Sequence, residues 1–305
     1  MNVSVVIPSY KRAEHLLRCI KALFNQNVPP YEIIVVLRED DTQSIRACEG
    51  IEGIKVFKVS EPGVLIAMNK GLDVAEGDII AFTDDDAEPF PDWIEKIIKN
   101  FEEDEKVGGV GGRDIIIVDG KEIKGRVKRI GKIQWFGRAI DHHHLELEGR
   151  RKIEVDVLKG VNMAFRRDFI KNYRFDLNMN NISSVSFEFD ICFYIKKKGG
   201  KIVYDPELKV KHYPAPRPSS SQREDEINMY EYSRNYTYVM SKHLSFLKKS
   251  IFLLYFFLIG QRASYGPILF LYDSLKGRRI PFKILKTSIK GKFDGLKRWI
   301  LNILS

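Results

Sequence analysis

Residues 78–89 read DIIAFTDDDAEP. Ile79, Ile80, Ala81 and Phe82 form a short apolar run of the kind a buried strand of a parallel sheet requires. The run stops at three consecutive carboxylates, Asp84, Asp85 and Asp86. Neighbouring like charges repel, and fold stability alone gives no reason to place them at a strand end. Alternation along an extended chain sends Asp84 and Asp86 to the same side. Two carboxylates at the carboxyl edge of a sheet suit a hard cation, Mg²⁺ or Mn²⁺, carrying a substrate's phosphates. The competing reading is a solvated acidic turn, but turns do not usually follow so apolar a strand with three acids.

Working outward, residues 3–7 are a β-branched run ended by Pro8, which predicts a strand followed by a loop. Leu16, Leu17, Ile20, Leu23 and Phe24 fall at helical spacing. A second strand over 32–37 ends in Arg38-Glu39-Asp40-Asp41, and a third covers 54–59. A helix over roughly 65–75 then leads into the acidic strand. Such strand–helix alternation predicts a doubly wound, mostly parallel α/β sheet flanked by helices, whose ligands sit beyond the carboxyl ends of the strands. Pro8-Ser9-Tyr10, Asp40-Asp41 and Asp84–Asp86 all fall there.

Downstream, a helix ends near Phe101. The following VGGVGGRD, residues 107–114, carries Asp114 where a dinucleotide fingerprint needs glycine, so it reads as a strand with close backbone approach. Between 115 and 160 the pattern weakens. His142-His143-His144 there read as a solvated loop, because adjacent histidines on an ordinary strand cannot all face one ion. Residues 157–170 predict a strand running into a helix. A polar loop with Asn178, Asn180 and Asn181 precedes a helix that turns Ile191, Cys192 and Ile195 inward and stops at Gly199-Gly200. Short strands are expected at 201–204 and 208–212, a mobile proline- and serine-rich loop at 214–224, and a polar helix through Arg234-Asn235 that closes the domain near 241.

The chain has 305 residues and a net charge of +9, unevenly placed. Residues 242–305 hold 13 basic and two acidic side chains. The basic character therefore belongs to this tail, and any polyanion meets it there. Cys19, Cys48 and Cys192 are scattered, with neither zinc spacing nor a disulfide framework, which points to a reducing compartment. The N-terminus runs straight into a strand, with no expected signal peptide. Residues 251–272 are the most apolar stretch. A single spanning helix would put Gln261-Arg262 at the midplane and be broken by Pro267. An interfacial or re-entrant helix pair flanked by basic residues fits better, and a hairpin buried on the protein's own surface is the alternative. Apolar runs between the charges favour lipid, and no nucleic-acid partner is expected.

Together VSVVIPSYKR, EIIVV, the glycine and helix before DDD, GVNMAFRR and FEFD before a helix resemble family 2 glycosyltransferases of the GT-A fold, over roughly residues 1–212. The resemblance implies an inverting, non-processive transferase. Residues 1–110 would bind the nucleotide sugar, 111–241 would shape the acceptor site, and 242–305 would be a helical tail at the membrane surface. It implies a nucleotide-diphosphate sugar donor and Mn²⁺ or Mg²⁺, and with the basic, apolar tail it points to a glycan or lipid-linked acceptor and a peripheral or monotopic place on the cytoplasmic face of the cell membrane. Carried over by residue, Pro8, Ser9, Tyr10 and Arg12 line the donor loop, and Asp40 or Asp41 contacts the base. Asn69 lies near ribose and diphosphate. Asp84, Asp85 and Asp86 form the acidic motif, Asp86 being the direct metal ligand beside Asp84, and His212 approaches the metal or diphosphate. Glu188, or Asp190 two residues on, serves as catalytic base. Asn69 also reads as a surface polar residue, Glu188 and Asp190 as acids favoured by a helix N-terminus, His212 as a hydrogen-bonded strand-end histidine, and Arg166-Arg167 either as an anion contact or as a solvated helix start. Leu37 and Met68 stand where the family usually has Asp and Arg. Gly295 stands where the Arg298-Trp299 pair of a processive synthase would need glutamine. A nucleotidyltransferase, or an inactive scaffold of the same fold, is the rival reading.

Overall fold

The computed structural model describes residues 1–180, 185–214 and 224–304. Asn181 and all but the edges of the expected loop at 214–224 lie outside the described residues. The chain divides into two compact units, Met1–Lys132 with Asp141–Phe175 and Ile191–Pro218, and Ile133–Ile140 with Asp176–Asp190 and Ser219–Ser305.

The first unit opens with β1 (Val3–Ser9), α1 (Ala13–Phe24), β2 (Glu32–Arg38), α2 (Thr42–Cys48), β3 (Ile54–Val59), α3 (Val64–Val74) and β4 (Ile79–Phe82). After the three aspartates come β5 (Ala87–Pro89), α4 (Trp93–Glu103) and β6 (Val107–Val118), then β7 (Ile153–Glu154), β8 (Met163–Arg166) and α5 (Arg167–Ile170). A 3₁₀ turn (Leu177–Met179) precedes α6 (Phe187–Lys197), and β9 (Lys201–His212) follows. The main sheet has ten strands in the order β7-β9-β6-β8-β4-β1-β2-β3, with β5 against β9 and a short strand, Lys121–Glu122, against β6. The flank β4-β1-β2-β3 is parallel. Antiparallel β8 divides it from the parallel pair β6/β9. β1, β2 and β4 are buried on both faces, which is why they read as unbroken apolar runs.

Three differences from the sequence reading have local causes. Helix α2 follows β2 directly because the Asp41 carboxylate accepts the Ser44 N–H at 3.1 Å, capping a segment with no apolar stripe to announce it. Residues 201–212 form one strand rather than two, with the register broken between Asp205 and Lys209. A Cβ at Gly112 would lie 1.8 Å from the Leu208 carbonyl oxygen, so the close backbone approach expected of the glycine run occurs at that irregularity. His143 is buried rather than solvated, with Nδ1 at 2.5 Å from Asp141 and Nε2 at 3.1 Å from the Val157 carbonyl. Both ring nitrogens are committed to holding that loop.

The second unit is helical, with α7 (Glu224–His243), α8 (Phe246–Leu258), α9 (Pro267–Leu275) and α10 (Phe282–Leu304). The apolar stretch 251–272 is therefore two helices separated by a tight hairpin in which Gly260-Gln261 pairs with Ser264-Tyr265. Buried Lys292 of α10 donates to the Phe256 and Tyr265 carbonyls at 2.5 and 2.8 Å, pinning that hairpin, and burial pulls its pKa down to about 7. Among the described residues, no helix is long and apolar enough to cross a membrane.

Candidate active site

The carboxyl ends of β1, β4 and β9 assemble one acidic cluster in the first unit. Strand β5 pairs with the end of β9, Ala87 opposite His212, so the turn between β4 and β5 delivers Asp86 to the histidine. One ligand atom from each of Asp84, Asp86 and His212 lies within 4.8 Å of the others. His212 Nε2 is 3.4 Å from Asp86 Oδ1, while Nδ1 lies 3.1 Å from Asp114 Oδ1. Asp114 is buried on β6. Asp85 points away from this set, accepting from Ser9 Oγ at 2.7 Å and Arg12 Nη1 at 3.0 Å. The same guanidinium nitrogen donates to Asp86 Oδ2 at 3.1 Å. Alternation thus does what the DDD spacing required: Asp84 and Asp86 face the histidine, and Asp85 is tied to the β1–α1 loop.

The electrostatics follow from burial and crowding. Burial, then the neighbouring Asp86 charge, pushes the half-buried Asp84 carboxyl well above the carboxylate range, although His212 opposes this. Asp85 is also raised by burial, with Arg12 pulling against it. Burial alone would lower the His212 pKa, but hydrogen bonds to Asp114 and Asp86 raise it to about 10. Carboxylates that resist ionising together and a histidine that keeps its proton describe a site short of positive charge. Two hard oxygen donors and an imidazole whose second nitrogen is held by a carboxylate form a donor set that fits a divalent cation.

The remaining expected site residues fall into separate places. Tyr10 lies under the Arg38 guanidinium, 3.9 Å from ring centroid to Cζ, and its hydroxyl donates to Asp40 at 3.2 Å. Arg38 also pairs with Asp40, whose carboxyl is held down at about 2 chiefly by that hydrogen bond. The three form an aromatic and charged ledge at the end of β2, with Tyr10 and Arg38 half-buried and Asp40 exposed. Lys11, between Tyr10 and Arg12, has φ +55, a left-handed backbone that costs energy for a residue with a Cβ. Pro8 is buried within β1. Asp41 caps α2 and accepts the Lys11 N–H at 2.5 Å, so both its oxygens serve main-chain donors. The Asn69 amide clamps the Phe175 main chain, donating to its carbonyl at 3.0 Å and accepting its N–H at 2.8 Å. Arg166 donates to the Phe101 and Val107 carbonyls.

Glu188 and Asp190 belong to the second unit, in the first turn of α6, just after Ser186 at φ +71. Asp190 is buried and ion-paired, with His243 Nε2 at 2.6 Å and Lys242 Nζ at 2.9 Å. Lys242 also reaches Asp176, which accepts from Tyr238 as well. Glu188 is buried too, 9% exposed. Sequence reasoning missed Asp114, Arg38, Lys242 and His243. The signal for Asp114 was a lone acid closing a glycine-rich strand, and for Lys242-His243 a basic pair ending a polar helix.

Comparison with known proteins agrees with this geometry. The model of the family described as Glycosyl transferase family 2 matches residues 4–174, more than half of the chain. The chain belongs to glycosyl transferase family 2. Within this family it is 25% identical over 233 residues to the Haloferax volcanii "Glucosyl-dolichyl phosphate glucuronosyltransferase", covering 70% of this chain and 69% of that protein. It is 21% identical over 231 residues to a Methanococcus voltae dolichyl N-acetyl-glucosaminyl phosphate diacetamido-dideoxy-glucuronosyltransferase, covering 69% of this chain and 66% of the relative. Solved structures share the fold. The mannosyltransferase PcManGT of Pyrobaculum calidifontis, in complex with GDP-Man and Mn²⁺, superposes with TM-score 0.57 at 13% identity, covering 99% of this chain and 87% of that one. S. aureus TarS 1–349 with UDP-GlcNAc does so with TM-score 0.56 at 16% identity, covering 84% and 72%. In this family 2 glycosyltransferase, the Asp-Asp-His cluster thus lies at the carboxyl edge of the sheet, where the fold presents ligands.

Proposed function

We propose that the protein transfers a single sugar, with inversion, from a nucleotide-diphosphate donor to a lipid-linked acceptor at a membrane surface. The observation that carries this reading is the convergence of Asp84, Asp86 and His212, with Asp114 behind the histidine. Asp84, Asp86 and His212 would hold Mn²⁺ or Mg²⁺, which when bound supplies positive charge to a departing diphosphate. Arg12, fixed by Asp85 and Asp86, adds a second positive charge beside it. Tyr10, with Arg38 and Asp40, offers a face and polar edges to the nucleoside. Ser9 and Asp85 hold that loop in place, while Pro8 and Asp41 shape it from beneath. Asn69 supports the donor side through Phe175 rather than by touching ribose.

Attack by an acceptor hydroxyl requires loss of its proton to a carboxylate. Glu188 takes that role. Asp190, neutralised by His243 and Lys242, anchors the first turn of α6 on which Glu188 stands. Both relatives are named for dolichyl phosphate sugars, which favours a lipid-linked acceptor over a soluble one.

The surface of α9 supports the membrane. This helix is inside out. Asp273 is buried, accepting from Tyr265 OH at 3.1 Å and from Arg262 and Arg278 at 3.4 Å, while Ile268, Leu271, Tyr272 and Leu275 face outward at helical spacing. Leu275 is 88% exposed. An apolar stripe bordered by Arg262, Lys276, Arg278 and Arg279 complements an anionic lipid interface, into which the apolar face sinks while the cations meet headgroups. The protein would be peripheral, on the cytoplasmic face.

The test is a transfer assay with a panel of nucleotide sugars, Mn²⁺ or Mg²⁺, and an isoprenyl phosphate acceptor. The expected result is metal-dependent glycosylated lipid and nucleoside diphosphate, abolished in Asp86→Ala. Turnover undiminished in that variant contradicts the proposal.

A further inference from the structure

Two glycines on α10 prepare an arginine pair that the proposed chemistry has not used. A Cβ at Gly291 would fall 2.5 Å from the Tyr230 carbonyl oxygen of α7, and one at Gly295 would fall 2.2 Å from that of Arg234. The four-residue spacing puts both on one face, so the α10 backbone lies directly against α7. Arg298, three residues past Gly295, is carried on the same face to the level of Arg234. The two guanidiniums converge on one acceptor: Arg234 Nη2 and Arg298 Nη1 each donate to the Asn178 carbonyl oxygen at 2.7 Å.

That arrangement is under-compensated. Both arginines are half-buried. Among the described residues, neither has a carboxylate within ion-pair distance. The acids close enough to be felt are Glu231 and Asp294, and Asp294 accepts the Tyr230 hydroxyl at 2.7 Å. One neutral carbonyl cannot balance two positive charges. Burial, then the charge of Arg298, accordingly lowers the Arg234 pKa. Guanidinium forks side by side are matched by an anion with several oxygens on one centre, and phosphate is the commonest such group.

We propose that Arg234 and Arg298 form a phosphate-binding site that receives the phosphate of the lipid-linked acceptor. The assignment of the anion to an acceptor rests on the activity proposed above, whereas the site itself rests on the arginine geometry. In it the guanidiniums turn their free N–H groups to the phosphate oxygens while Asn178 keeps one donor from each. The basic tail and the outward apolar face of α9 belong to the same unit, so the phosphate of an isoprenoid embedded in lipid is the source these features favour.

The experiment is binding of farnesyl phosphate to the full chain in detergent, against farnesol, inorganic phosphate and a nucleoside diphosphate. It is run on the wild type, Arg298→Ala, Arg298→Lys and Arg234→Lys, with melting temperatures recorded alongside. The site predicts that farnesyl phosphate binds at least about tenfold tighter than farnesol, and that this preference falls about tenfold or more in Arg298→Ala. Partial retention is expected in both lysine variants, which keep charge without the fork, and nucleoside diphosphate affinity should not change. A phosphate preference that survives in Arg298→Ala, or is absent from the wild type, overturns the site. So does an Arg298→Ala protein that merely melts earlier with the preference intact, since the arginines then only latch the Asn178 turn. Lost affinity for vesicles of phosphatidylglycerol, or for the nucleoside diphosphate, without lost farnesyl phosphate preference overturns the acceptor assignment. If the preference depends on Arg298 but the wild type transfers no sugar to any isoprenyl phosphate, the site stands and the proposed activity fails.

Discussion

Asp86 receives Arg12 on one oxygen and faces His212 with the other, so a single carboxylate joins the β1–α1 loop to the candidate metal site. His212 shows how the site responds to pH. Its folded pKa of about 10 lies above the ordinary 6.5, so its interactions with Asp86 and Asp114 stabilise the fold fully below about pH 6.5 and lose that contribution as pH rises through 10. A cation must displace that proton. Apparent metal affinity is therefore expected to rise with pH across 6.5–9, by at most about tenfold per unit for one proton released, measurable by titration calorimetry in two buffers. Asp114→Asn should weaken Mn²⁺ binding by about 10- to 100-fold by freeing the imidazole to rotate, and should also lower the melting temperature at neutral pH, because the Asp114 share of the His212 stabilisation goes with the charge. At this scale the sequence was partly legible. Three acids after an apolar strand are adjacent along the chain, so their alternation could be read directly. The Asp114–His212 contact spans 98 residues and two parallel strands, and nothing local to either announces it.

Helix α6 carries both acids that the sequence offered as alternatives, Asp190 being ion-paired with Lys242 and His243. Glu188→Gln is expected to fold normally and lose roughly 10²–10⁴-fold in turnover. Asp190→Ala removes the 2.6 Å partner of buried His243 and leaves Lys242 to Asp176, and should cost on the order of 3 kcal/mol, read as a lowered denaturant midpoint. Burial alone would raise the Asp190 pKa, but His243 and Lys242 hold it below the usual carboxylate value. Its stabilisation is therefore present above about pH 4 and lost as pH falls through the lower folded value, so the stability gap between wild type and Asp190→Ala should narrow in acid. Elements with strong apolar period, α1, β1, β2 and β4, were visible in the sequence because burial fixes their pattern. Helix α2 was not, since a cap rather than a stripe specifies it. Helix α9 was legible as half of the helix pair expected over 251–272, but that its apolar residues point outward while Asp273 is buried was not.

For the whole molecule, the +9 charge comes from a tail that is not simply appended. Helix α10 lies against α7 through Gly291 and Gly295, so removing 242–305 would uncover α7 and confound loss of binding with loss of folding. Charge substitutions on the exposed stripe are the cleaner test. Leu271→Asp with Leu275→Asp should abolish sedimentation with anionic vesicles at unchanged melting temperature, and wild-type binding should weaken as salt rises. The account turns on the cation held by the acidic cluster, and Mn²⁺ titration followed by electron paramagnetic resonance, with a nucleoside diphosphate present, addresses it most directly. The wild type is predicted to bind one Mn²⁺ per chain, and Asp86→Ala to bind none over the same range. Equal, stoichiometric Mn²⁺ binding by a folded Asp86→Ala protein would contradict the account.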